Sequence, residues 1–199
     1  MEREKVAWEN RKNIGFLKAL YQTVKNVLFR PNDFFSRMNS NGGFSSPLIF
    51  AIVLCILADL LMGFWDYIHS LIFSLLHFKN LLFELSHVSL LLGPLIAILI
   101  LFVGSLSTHI SLRIVSKSTN TFEATFRVFA YSCSTLVLWV FPIYFLIIIP
   151  YLIWSIVIQF IGLKKVHQIS NLRCALAIGL SFLFTGVPAI IVSLLVYSR

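Results

Sequence analysis

The chain opens with about 45 mixed polar and apolar residues, and from there apolar positions crowd into four long runs. Pro47 to Trp65 is broken only by Asp59, Ser89 to Leu112 only by polar neutral residues and His109, and the last run extends from Cys174 to Tyr197. Between them Val128 to Leu163 runs 36 residues without a formal charge. A helix needs about 20 mainly apolar residues to cross a bilayer, so each run is long enough for at least one crossing. As a single helix the third run would span about 54 Å, far beyond hydrocarbon thickness. Pro142 and Pro150 bracket its middle, and a residue that lacks an N–H favours a turn there. The pattern therefore predicts an all-α, five-span bundle with crossings near 47–66, 89–112, 124–141, 146–163 and 174–197.

Ahead of these, residues 14–29, IGFLKALYQTVKNVLF, place Ile14, Leu17, Leu20, Tyr21, Val24, Val27 and Leu28 at helical spacing, with Lys18 and Lys25 opposite. That is the signature of a basic amphipathic helix in the headgroup layer, facing anionic lipid. RPNDFFSRM follows, with Pro31 placed to start a second short helix and Phe34 and Phe35 suited to dip into the interface. Residues 1–45 are thus expected to form a cytoplasmic or interfacial segment, and 46–199 the membrane domain. After the first crossing, polar residues at 66, 69/70, 74, 77, 80, 84 and 87 make a helical stripe, which predicts a segment near 67–88 that lies along the outer surface or folds back into it.

Charge orients the bundle. With five spans and the N-terminus inside, fourteen of the sixteen Lys and Arg residues face the cytoplasm, and only Lys79 and Arg199 lie outside. The positive-inside rule favours that arrangement, N-in and C-out. A single crossing of the third run would put Lys164 and Lys165 outside, against the bias. Charged residues make up 12% of the chain, about half the share in soluble domains, so lipid is the solvent for most of it. The net charge of +8 is spread over loops rather than one soluble face, which excludes a nucleic-acid partner.

Small residues bring membrane helices together. Gly93, Ala97, Gly104, Ser107 and Ser111 share a face of the second span, and Ala175, Gly179, Gly186, Ala189 and Ser193 one of the last. Both stripes are expected to be packing surfaces, with a narrow pathway as the functional alternative. Asp59 is the one carboxyl deep in a span, on a face with Cys55, Gly63 and Asp66. It is either a hydrogen-bonded tie between helices or a proton- or cation-coupled site. Gln159 and His109 are weaker candidates of the same type, with His109 expected near the interface. Lys18, Lys25, Arg30, Phe34, Phe35, Lys164, Lys165 and His167 are the expected lipid-headgroup or partner contacts. Asp66, His69, His77, Glu84 and His87 lack the compact spacing of a zinc site and read as a solvated face. Cys55, Cys133 and Cys174 form neither a disulfide framework nor a CxxC pair. No phosphate loop, dinucleotide fingerprint, HExxH or GxSxG occurs, and no cofactor or enzymatic activity is expected.

The order of elements resembles the Yip family of Ypt/Rab-interacting membrane proteins. The resemblance rests on RPNDFFSRM, the Gly/Ser-Pro approach to the first span, the proline-bearing hairpin, and the loop from Gly162 to Ser170 (GLKKVHQIS) leading into an Ala-rich last span at Ala175. It implies a five-span domain over residues 15–197 with no catalytic residues to carry over. Eukaryotic members bind prenylated small GTPases through long cytosolic extensions and act in vesicle traffic. The short segment here departs from that pattern and suggests a prokaryotic relative in the cytoplasmic membrane, with the endoplasmic reticulum or Golgi as the alternative. The role expected is membrane organisation, remodelling or scaffolding, with lipid, a second copy or another membrane protein as partner. The alternative is a small transporter, ion pathway or lipid-moving protein built around Asp59.

Overall fold

The computed structural model describes the backbone of residues 6–75, 83–116, 120–141 and 144–197, and their side chains except within 73–75, 83–91, 144–147 and 187–197. Among the described residues the chain is helical throughout. A 3₁₀ turn (Ala7–Asn10) leads into α1 (Arg11–Ile14), α2 (Phe16–Phe29) and α3 (Pro31–Arg37). The long helices are α4 (Ser45–Leu75), α5 (Phe83–Ser116), α7 (Tyr144–His167) and α8 (Asn171–Tyr197). Between α5 and α7 lies α6 (Phe122–Ser132), continued by a 3₁₀ helix over Cys133–Val140. Among the described residues, three stretches are long and apolar enough to cross a bilayer: Ser45–Ile72, Leu92–Ser116 and Ile148–His167.

Three sequence expectations change here. Of the surface segment near 67–88, the described residues up to Leu75 continue α4 and those from Phe83 begin α5. At 1.5 Å per residue these helices measure about 46 and 51 Å, longer than the hydrocarbon core. His77 and the side chains of Glu84 and His87 lie outside the described residues. Second, Pro150 does not bound the turn: α7 starts at Tyr144 and runs through it. Third, the stretch expected as a span at 124–141 is only partly α-helical, since eleven α residues are extended by eight in the tighter, steeper 3₁₀ form.

The core sits around α6, whose residues Ala124–Val128 and Ala130–Ser132 are all buried. Helices α2, α4, α5 and α7 pack on it or on its 3₁₀ continuation, α3 packs against α7, and α8 packs against α5 and α7. One close crossing explains the α6–α7 contact. A Cβ on Gly162 would come within 2.6 Å of Val128 and 3.1 Å of the Phe35 ring, so only glycine lets these backbones approach.

The N-terminal segment packs one face into the bundle. Trp8 is wholly buried, edge-on to Phe16 at 5.2 Å and Phe50 at 5.5 Å. Helix α2 buries Ala19, Thr23, Val27 and Leu28 and turns Leu17, Tyr21 and Phe29 outward at 77, 64 and 77% exposure. Phe35, expected in the interface, is 2% exposed and stacked edge-on with Phe34, which contacts Tyr131 in turn.

Candidate functional site

A charge inside an apolar helix requires a partner, and Arg127 is such a charge. It sits on α6 with no exposed side-chain surface. Its guanidinium forms an ion pair with Glu9, and Nη1 donates to the Gly43 carbonyl at 3.0 Å. Tyr131, one turn on, donates its hydroxyl to the same Glu9 oxygen at 2.8 Å. Glu9 belongs to the N-terminal 3₁₀ turn, so the cluster fastens the first described residues to the central helix. Trp8 extends it: its indole N–H donates to the Ser46 carbonyl at 2.8 Å, and its backbone N–H to Thr23 Oγ1 at 2.9 Å. The Gly43 N–H donates to Glu123 at 2.5 Å, which pins the approach to α4. Gly42 leaves room for the guanidinium, since a Cβ there would meet Arg127 Nη1 at 2.8 Å.

A second polar cluster joins α5, α6 and α7. His109 Nδ1 and His167 Nε2 each lie 3.0 Å from the buried Thr125 hydroxyl. Arg113 Nε donates to His109 Nε2 at 3.4 Å. Counting hydrogens fixes the direction: His109 accepts at Nε2, donates from Nδ1 to Thr125, and Thr125 donates to His167. Both imidazoles are then neutral, and the chain closes without a nucleophile facing solvent. Asn120 adds a hydrogen bond to the Val166 carbonyl. His109 and His167, expected as separate interfacial residues, are thus brought together, and His167 is buried rather than presented to headgroups.

The remaining sequence candidates scatter. Asp59 lies against Gly93, where any Cβ would overlap its carboxyl, and Oδ2 is buried with no hydrogen-bond partner among the described residues. Asp66 is a further two turns along α4, next to Trp65, whose indole donates to the Val140 carbonyl at 3.1 Å. Gln159 is half-buried on α7 and donates to Ser155 Oγ at 3.4 Å. Lys18, Lys25, Arg30 and Lys165 are exposed, with Lys25 over the Tyr21 ring, and Lys164 is half-buried.

On α5, Ala97 lines a narrow gap with Cys55 and Cys133, and Gly104 faces Phe129. The α8 stripe differs. A Cβ on Gly179 or Gly186 would meet nothing within 4 Å, while Cys174, Ala177 and Ser181 form the buried face. Among the described residues no group of three or more His, Cys, Asp and Glu side chains could hold a metal.

Arg127, Glu9, Tyr131, Trp8 and Thr125 were not singled out by the sequence pattern. Arg127 carried the one available signal, a cation inside a predicted apolar span. A family model described as the Yip1 domain matches residues 25–194. Comparison with curated proteins and with solved structures gives no match.

Proposed function

This chain belongs to the Yip1 domain family, and from that premise we propose that it is a non-enzymatic membrane protein that organises or remodels the bilayer through a rigid cytoplasmic collar. The carrying observation is the way α2 is held. Its small and branched face is locked into the bundle, and a second face with Leu17, Tyr21, Phe29, Lys18 and Lys25 stays outside. Apolar and aromatic groups beside lysines suit the headgroup layer of an anionic leaflet. Insertion of such a face by a body that cannot bend spreads one leaflet against the other.

The bundle crosses five times, N-in and C-out, in this reading. Eleven α residues and eight 3₁₀ residues make about 32 Å, the thickness of the hydrocarbon core, so α6 and its continuation complete a crossing. The charge distribution supports the orientation. Cys174 is buried, so the position to label is exposed Arg173. An Arg173→Cys variant should react with an impermeant thiol reagent from the cytoplasmic side alone; reaction from outside refutes the topology.

For the collar, a spin label at Tyr21→Cys in nanodiscs should sit at headgroup depth when the lipid is anionic. Lys18→Glu with Lys25→Glu should release it to water. Equal depth in anionic and zwitterionic discs, unmoved by the double substitution, removes the reading. Transport is the second reading, favoured by the unpartnered Asp59 oxygen within α4. Proteoliposomes of wild type and Asp59→Asn separate the two, and absence of ion, solute or lipid flux in both ends it.

A further inference from the structure

Helices α5, α7 and α8 leave a cavity of about 640 Å³ between them, within the size range of ligand sites. A second of about 330 Å³ adjoins it toward the 3₁₀ helix, and the two share Ile100, Gly104, Phe129, Tyr151, Ser155 and Gln159. The walls are apolar and carry no formal charge, which disfavours an ion. Tyr151, Ser155 and Gln159 recur every four residues and form a polar ladder down one face of α7. The flanks of the larger cavity, Leu99, Leu152 and Phe182, are 63, 51 and 56% exposed, so a hydrocarbon chain reaches it from the bilayer without crossing water.

Depth narrows the occupant. Gln159 lies five residues, about 7.5 Å, below Lys164 along α7. The headgroup layer is roughly 5–8 Å thick on each side, so Gln159 stands where ester carbonyls of a glycerolipid lie. Its Nε2 donates one N–H to Ser155, which leaves the second amide N–H for the cavity that Gln159 lines. An amide in hydrocarbon needs a partner, and an ester carbonyl accepts from it.

We propose that this crevice holds one acyl chain of a membrane glycerolipid, its ester carbonyl on Gln159 and its tail running past Ser155 and Tyr151. The inference rests on α7 being in the membrane, as read above, and not on which end faces the cytoplasm.

The test uses the full chain in proteoliposomes with a phosphatidylcholine carrying a diazirine on its sn-2 chain. Photolabel should concentrate on residues 151–159 of α7 and 99–104 of α5, above the level at Leu60 and Phe64, which are exposed on α4. Gly104→Phe should lower it to that level. Gln159→Leu, which keeps the volume, should keep the label but abolish an approximately threefold preference of wild type for ester over ether lipid in competition, the worth of one intramembrane hydrogen bond. Labelling no stronger than at Leu60 and Phe64, or an equal response to ester and ether lipid in wild type, overturns the proposal. Cross-links between two chains at these residues in place of lipid overturn it as well. No label at Leu60 and Phe64 either would instead mean that the membrane placement has failed.

Discussion

The two halves of this bundle are built on different terms. At the end that carries the collar, α6 is held by the Arg127–Glu9 ion pair, by hydrogen bonds between Thr125 and two histidines and by stacked aromatic rings. In the half formed by α5, α7 and α8, the described side chains that face one another are mostly apolar and border a crevice. Lipid tails are as apolar as leucine, so apolar contact between helices gains little there over contact with lipid. Near the membrane surface, polar partners and water-excluded rings do hold a structure together. The fold is therefore specified by polar partners around Arg127 and Thr125 and left open beside Phe129.

The sharpest way to break that contrast is at Arg127. Arg127→Met strands Glu9 and Tyr131, and Glu9→Ala strands a buried guanidinium. Either should cost about 3–5 kcal/mol of stability, measured by unfolding in mixed micelles. An equal or larger loss from Gln159→Leu would mean that the two halves are not so different.

Next comes Trp8→Ala, which empties a wholly buried site and should cost about 3–5 kcal/mol, with α2 becoming accessible to protease before the long helices do. Loss of the entire fold in one step would show that collar and bundle are not separable. Thr125→Val removes the hydroxyl between His109 and His167 while keeping its shape. It should cost about 1–3 kcal/mol and release the α7 end, visible as faster amide exchange at Val166 and His167. Unchanged exchange would reduce the histidine chain to a coincidence of packing.

The smallest effects compare three glycines. Gly162→Ala forces a methyl between Val128 and Phe35 and should destabilise by about 1–3 kcal/mol. Gly179→Ala and Gly186→Ala, with open space around them, should raise stability by about 0.4–1 kcal/mol. Reversal of that order would restore the α8 stripe as a packing face.

Much of the architecture was legible from run length alone, because the bilayer imposes a minimum on any apolar helix. Where helices end was not. Periodicity marks which residues share a face and continues past the membrane surface, so the end of α4 read as a separate segment. Pro150 read as a boundary, yet neighbouring helices tolerate a proline within a membrane helix. The small-residue stripes told which glycines align, and not whether that face turns inward; Gly162 makes the close contact, and Gly179 does not. Arg127 could be seen to need an anion, but Glu9 is 118 residues away in the chain and no local spacing connects them. Trp8 and Thr125 gave no signal, since their roles come from groups that only tertiary packing assembles.

The 3₁₀ helix over Cys133–Val140 has a consequence for the thickness of membrane the chain fits. Each of its eight residues rises about 0.5 Å more than in an α-helix, so relaxation to α would shorten that crossing by about 4 Å. Bilayers along the secretory route and between bacterial membranes differ by a few ångströms of hydrocarbon. Under the five-span reading proposed above, that difference is slack that would let one sequence fit membranes of unequal width.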